Sequence, residues 1–117
     1  MINIKKRRSY AKAKKQILPG TYNSVVTNVD WANQYGEQEA FEITYNVSCD
    51  GKIHQYREIF MNNDKNKRTI EFFDYLEENG IEDPIDFIGH TETLTFNDVE
   101  AYNGNTYINI VKREFIR

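Results

Sequence analysis

Two histidines, His54 and His90, and one cysteine, Cys49, are the side chains of this 117-residue chain best suited to hold a metal or to attack a carbonyl, and their spacing serves neither purpose. Zinc needs three or four converging ligands, yet no second thiol stands near Cys49 and no His-Glu-x-x-His run occurs. Gly20, Gly36, Gly51, Gly80, Gly89 and Gly104 are dispersed single glycines, so no glycine-rich loop cradles a phosphate. Carboxylates abound, but Glu77-Glu78 and Glu82-Asp83 read as a solvated helix end and loop, and none sits beside a lysine on a strand as a metal-dependent nuclease requires. The expectation is a protein that is not an enzyme and carries no cofactor or metal.

Aromatic and basic residues offer a different chemistry. Eight tyrosines and one tryptophan are available, and tyrosine can present a ring and a hydroxyl together at a surface. Tyr22, Trp31, Tyr35, Tyr45, Tyr56, Tyr102 and Tyr107 fall on or beside predicted strands, with Lys52 and Arg57 among them. Rings that stack bases beside cations that meet phosphates are what single-strand binding without base preference requires. For each tyrosine the competing role is core packing, strongest at Tyr45.

Charge is divided sharply. Lys5, Lys6, Arg7, Arg8, Lys12, Lys14 and Lys15 give residues 1–15 a net of +7, while the rest holds eight basic and eighteen acidic side chains, a net of −10. Ten acids and no lysine or arginine lie between Glu71 and Glu100. A polyanion therefore has two approaches, the N-terminal run and the basic stretch from Lys52 to Arg68.

The elements that position these groups follow from periodicity. Residues 1–17 read as a basic flexible arm that orders on contact with a target or serves as a solubilising tail, and residues 18–117 as one domain. Thr21 to Trp31 is a strand in which Val25, Val29 and Trp31 alternate with polar residues while Val26 breaks the pattern. Asn33 to Gln38 is a loop. Phe41, Ile43, Tyr45 and Val47 alternate with Glu42, Thr44, Asn46 and Ser48, and a two-residue turn at Asp50-Gly51 pairs Phe41 with Phe60, Tyr45 with Tyr56 and Val47 with His54. A helix runs from about Asn66 to Asn79 with Ile70, Phe73 and Leu76 or Glu77 on its apolar side. Pro84 opens a brief helical turn, Thr91 to Glu100 is the fourth strand, and Asn103-Gly104 turns the chain into a fifth, Tyr107 to Val111.

Three strands, a helix and two strands make an all-β fold with one helix, and the arrangement expected is a five-stranded, oligonucleotide-binding (OB) type of barrel. Closure would also hide strand edges that no proline guards. The alternative is an open sheet with the helix packed on one face. One cysteine, no apolar stretch long enough to span a membrane and no basic-then-apolar leader point to a reducing cytoplasm.

Leu18-Pro19-Gly20-Thr21-Tyr22, the strand ending Asp50-Gly51, the central helix, Ile88-Gly89 and Tyr107-Ile108-Asn109-Ile110 together resemble small single-stranded DNA-binding proteins of bacteriophages and mobile elements, over roughly residues 17–112. The resemblance implies a single OB barrel that coats single-stranded DNA as a replication or recombination accessory, with Trp31, Tyr35, Lys52, Tyr56 and Arg57 at the matching contact positions. Two features depart from it: the chain ends Val111-Lys112-Arg113-Glu114-Phe115-Ile116-Arg117 instead of in an acidic tail, and its body is acidic. Phage proteins of this size and charge also bind host proteins, defence nucleases among them, and Asp74, Glu78 and Glu82 are the residues expected to carry such a contact. A third reading is an assembly role through self-association.

Overall fold

The computed structural model describes residues 17–31, 34–35 and 38–117. Five long strands form one antiparallel sheet: β1 (Gly20–Asp30), β3 (Gln38–Cys49), β4 (Lys52–Met61), β5 (Thr91–Glu100) and β6 (Thr106–Phe115). A two-residue strand, β2 (Gln34–Tyr35), pairs back onto Gln38 and Glu39, so the expected loop contains a small hairpin. One helix, α1 (Lys67–Glu78), and a 3-10 turn (Pro84–Phe87) link β4 to β5. The expected order of long elements holds.

Strand order in space is β4-β3-β1-β5-β6. No ladder joins β4 to β6, so the sheet is open, and the expected OB barrel is not what this chain forms. The reason lies in side chains. A ladder needs strands about 4.8 Å apart, whereas here the Tyr56 hydroxyl reaches across to donate to the Ile108 carbonyl at 3.3 Å, and Glu58 meets Arg113 across the same gap. Backbones held apart by a tyrosine and an ion pair stand too far apart to exchange N–H···O bonds.

The β3–β4 hairpin has the register set by its turn. Asp50 and Gly51 take φ of 49° and 79°, the left-handed pair that a two-residue turn demands, and Phe41↔Phe60, Tyr45↔Tyr56 and Val47↔His54 pair as expected. Two bulges were not expected. In β1 the register shifts between Val26 and Asn28, so Val26 and Val29, three apart, are both buried and Val25 is turned outward. In β6 it shifts between the partners of Thr95 and Phe96, so Ile110 pairs with buried Phe96 and Arg113 with buried Leu94. Without that second bulge Arg113 would face away from the core.

Helix α1 buries Thr69, Phe72 and Leu76, one step round from the expected stripe, and Ile70 is exposed. Phe72 stacks on Phe60 with ring centroids 4.3 Å apart, which fastens the helix to the inner face of β4. Asn66 caps the start: its side-chain oxygen accepts from the Thr69 backbone N–H at 3.1 Å, and the Thr69 hydroxyl donates onward to the Met61 carbonyl at 2.8 Å. Asn66→Ala should therefore lower the unfolding free energy by about 1 kcal/mol, seen as an earlier urea midpoint at unchanged slope. No helix among the described residues is long and apolar enough to cross a membrane.

Candidate functional site

The unclosed side of the sheet is a seam. Its first part is a groove of about 500 Å3 between β4 and β6, lined by Tyr56, Arg57, Glu58, Ile59, Val99, Asn109 and Ile110, with Arg68 from the first turn of α1. A second groove of about 300 Å3 runs between α1 and β6, sharing Arg68 and Ile110 and adding Glu71, Tyr75, Lys112 and Arg113. Four cationic residues, Arg57, Arg68, Lys112 and Arg113, thus line the two grooves with two acidic ones, Glu58 and Glu71, while Arg57 also meets a third carboxylate, Glu42, outside them.

Glu58 organises the floor. Its carboxylate is almost wholly buried and accepts from Arg113 Nη1 at 2.9 Å and Nη2 at 2.8 Å, from Arg68 Nη2 at 3.0 Å and from the Tyr45 hydroxyl at 3.0 Å. Such charge-assisted bonds hold both guanidiniums in fixed directions. Arg68 is further tied to the Ile59 carbonyl at 2.7 Å and lies over the Phe60 ring, 4.3 Å from its centroid. Of its five N–H donors two are used in this way, and the group stays half exposed on the seam. Burial pulls the Arg113 guanidinium down, but the charge and hydrogen bonds of Glu58 outweigh that and push it up, so it is a permanent cation. Burial, reinforced by Glu58, pushes the Tyr56 hydroxyl up to about 12, which keeps it a neutral donor.

Beneath the seam lies a second buried acid. Glu92 has no exposed surface; its Oε2 accepts from the Tyr75 hydroxyl at 2.6 Å and its Oε1 has no partner. Burial raises its carboxyl to about 7 against the opposing pull of Tyr75 and Arg113.

The structure gathers part of the expected site. Tyr56 and Arg57 line the seam; Tyr56 points inward, half-buried, with its ring edge-on to Phe96 at 5.0 Å, and Arg57 points outward, 3.8 Å from Glu42. Tyr107 is 49% exposed on β6, in register with Val99 of the seam, and accepts hydrogen bonds from Asn103 and Asn105 of its own turn, which lower its pKa. Trp31 is 42% exposed and packs on Phe41 at 4.7 Å, at the far end of the sheet from Lys52. The register Asp30↔Glu42↔Ile59 leaves seven strand positions to Lys52, roughly 23 Å. Tyr35 belongs to β2. Lys5, Lys6, Arg7, Arg8, Lys12, Lys14 and Lys15 lie outside the described residues. Tyr45 is core.

Arg68, the end of the expected basic stretch, joins the seam from α1, and Asn109, Lys112 and Arg113 join it without having been read as contacts from the sequence. The available signal was the alternation continuing past Val111 through Lys112 to Phe115, masked because the bulge reverses its parity. Asp74, Glu78 and Glu82 are exposed on α1 and the loop after it. Among the described residues no cluster of His, Cys, Asp or Glu is arranged to hold a metal.

No protein-family model, curated protein or solved structure matches this chain. The resemblance to phage and mobile-element single-strand binders with one OB barrel is overturned by the open sheet.

Proposed function

We propose that this protein binds single-stranded nucleic acid without base preference along the seam between β4 and β6, as a binding protein and not an enzyme. The observation that carries the reading is charge: on a body of net −10, four cations gather along the seam against three carboxylates, Glu58, Glu71 and the Glu42 beside Arg57, with two of those cations held in place by Glu58. Guanidiniums with unused N–H donors suit phosphate oxygens, and Tyr56, Val99 and Ile110 supply the less polar wall that a base can lie against. The cytoplasm is the preferred place, supported by the buried, unpaired Cys49.

Titration of fluorescent oligothymidine across a range of salt tests it. Affinity should fall steeply with salt, and Arg57→Ala with Lys112→Ala, two exposed positions, should together flatten the single-strand slope by about 1.4 while leaving the melting temperature unchanged. Absence of binding at the lowest salt, or an unaltered slope in the double variant, defeats the proposal.

A second reading, contact with a protein through Asp74, Glu78 and Glu82, is favoured by one local oddity. Helix α1 ends on Glu77 and Glu78 with no basic residue in its last turn, where the helix dipole disfavours anions, so these acids cost stability where they stand. Pull-down from nuclease-treated extract should retain a partner that is lost when all three charges are reversed; loss on nuclease treatment alone counts against this reading.

A further inference from the structure

An open sheet has two edges, and unpaired edges are templates for another strand unless something blocks them. On β4 the Asn62 N–H donates to the Glu39 carbonyl, which places the even-numbered residues in the ladder to β3 and turns the N–H and C=O of Ile53, Gln55, Arg57, Ile59 and Met61 outward. The end nearer the helix is capped. Arg68 donates to the Ile59 carbonyl at 2.7 Å and Thr69 to the Met61 carbonyl at 2.8 Å, while on the opposite edge Tyr56 caps Ile108.

Ile53, Gln55 and Arg57 have no backbone partner among the described residues. This half of the edge has no proline, no acidic side chain and no bulge, its register running unbroken from Ile59 to Lys52. Ile53 is 62% exposed, an apolar side chain against which one apolar side chain of an added strand can pack. Lys52 and Arg57 flank it, and Arg57 meets its nearest carboxylate, Glu42, only at 3.8 Å. Two copies paired edge to edge about Gln55 would set Arg57 of each against Ile53 of the other and give neither guanidinium a carboxylate, whereas a carboxylate on an added peptide can meet Arg57 directly.

We propose that the β4 edge from Ile53 to Arg57 is a strand-addition site for an extended acidic peptide of a partner protein. The peptide gains backbone hydrogen bonds to the three outward residues, sets an apolar side chain on Ile53 and places carboxylates beside Arg57 and Lys52.

Amide exchange followed by NMR tests it, with a capped nine-residue threonine peptide carrying one valine and one aspartate four residues apart, hence on one face, as probe, and the same peptide with lysine in place of aspartate for comparison. The aspartate peptide should slow exchange at Ile53, Gln55 and Arg57 by roughly tenfold, and the lysine peptide should not. Gln55→Pro removes one outward donor without touching the ladder to β3 and should abolish the protection. Arg57→Glu keeps the edge intact and should reverse the preference toward the lysine peptide. No protection by the aspartate peptide, equal protection by both peptides, or protection of these three amides by oligothymidine instead each overturns the proposal. Flattening of the salt slope without peptide protection leaves the seam reading standing and removes this one; the opposite pair of results does the reverse.

Discussion

Glu58→Ala should destabilise the protein by about 3–5 kcal/mol, the largest loss expected from any single polar substitution in the seam. The alanine leaves the largely buried Arg113 guanidinium without its carboxylate and the Tyr45 hydroxyl without its acceptor, and neither can turn to water. Most of that loss comes from the charge left behind and not from any intrinsic worth of the pair. Glu58→Met combined with Arg113→Leu should therefore recover most of the stability, and adding Tyr45→Phe should recover roughly 1–3 kcal/mol more by removing the orphaned hydroxyl. Urea unfolding of the three variants measures this. A loss below about 1 kcal/mol for Glu58→Ala would mean that the pair is solvated and that Glu58 does not fix the arginines.

Glu92→Gln should make the protein more stable at alkaline pH and leave it nearly unchanged in acid. The folded-state pKa of Glu92 is raised to about 7 from 4.5, so between those values the folded protein binds a proton that the unfolded chain has released. Wild-type stability is full below the lower value, falls as pH rises through the window and levels off above the upper one. About 2.5 pK units correspond to roughly 3 kcal/mol. The groups that face Glu92 are Tyr75 from α1, Arg113 from β6 and Glu58 from β4, and Tyr75 is itself held neutral by burial and by Glu92. Urea midpoints of wild type and variant should coincide near pH 4 and separate progressively up to about pH 7. A constant separation at every pH contradicts a titrating Glu92.

Much of the fold was legible because it is local. Alternation over Phe41 to Val47 marks a strand buried on one face, and the left-handed Asp50-Gly51 turn fixes its register with β4, so each residue from Ala40 to Cys49 pairs as its number dictates. The helix, the 3-10 turn at Pro84 and the strand from Thr91 to Glu100 carry their own start and stop signals. For the site, Tyr56 and Arg57 were legible as an aromatic beside a cation, whereas Trp31 and Lys52, equally good by residue type, belong to opposite ends of the sheet.

By itself the sequence determined the period of each element, the two hairpin turns, the separation of charge between the first fifteen residues and the rest, and the absence of paired cysteines or histidines. Only the tertiary structure decided whether the sheet closes, because that depends on β4 and β6, strands about fifty residues apart whose approach is limited by what stands between them. A buried Glu58 bound to two arginines and a tyrosine spanning to Ile108 occupy that space. The bulge in β6 decides that Arg113 faces Glu58 at all. A one-residue shift reverses the direction of every side chain after it, and it is settled by the packing it permits on the far side of the core, not by the residues next to it in the chain.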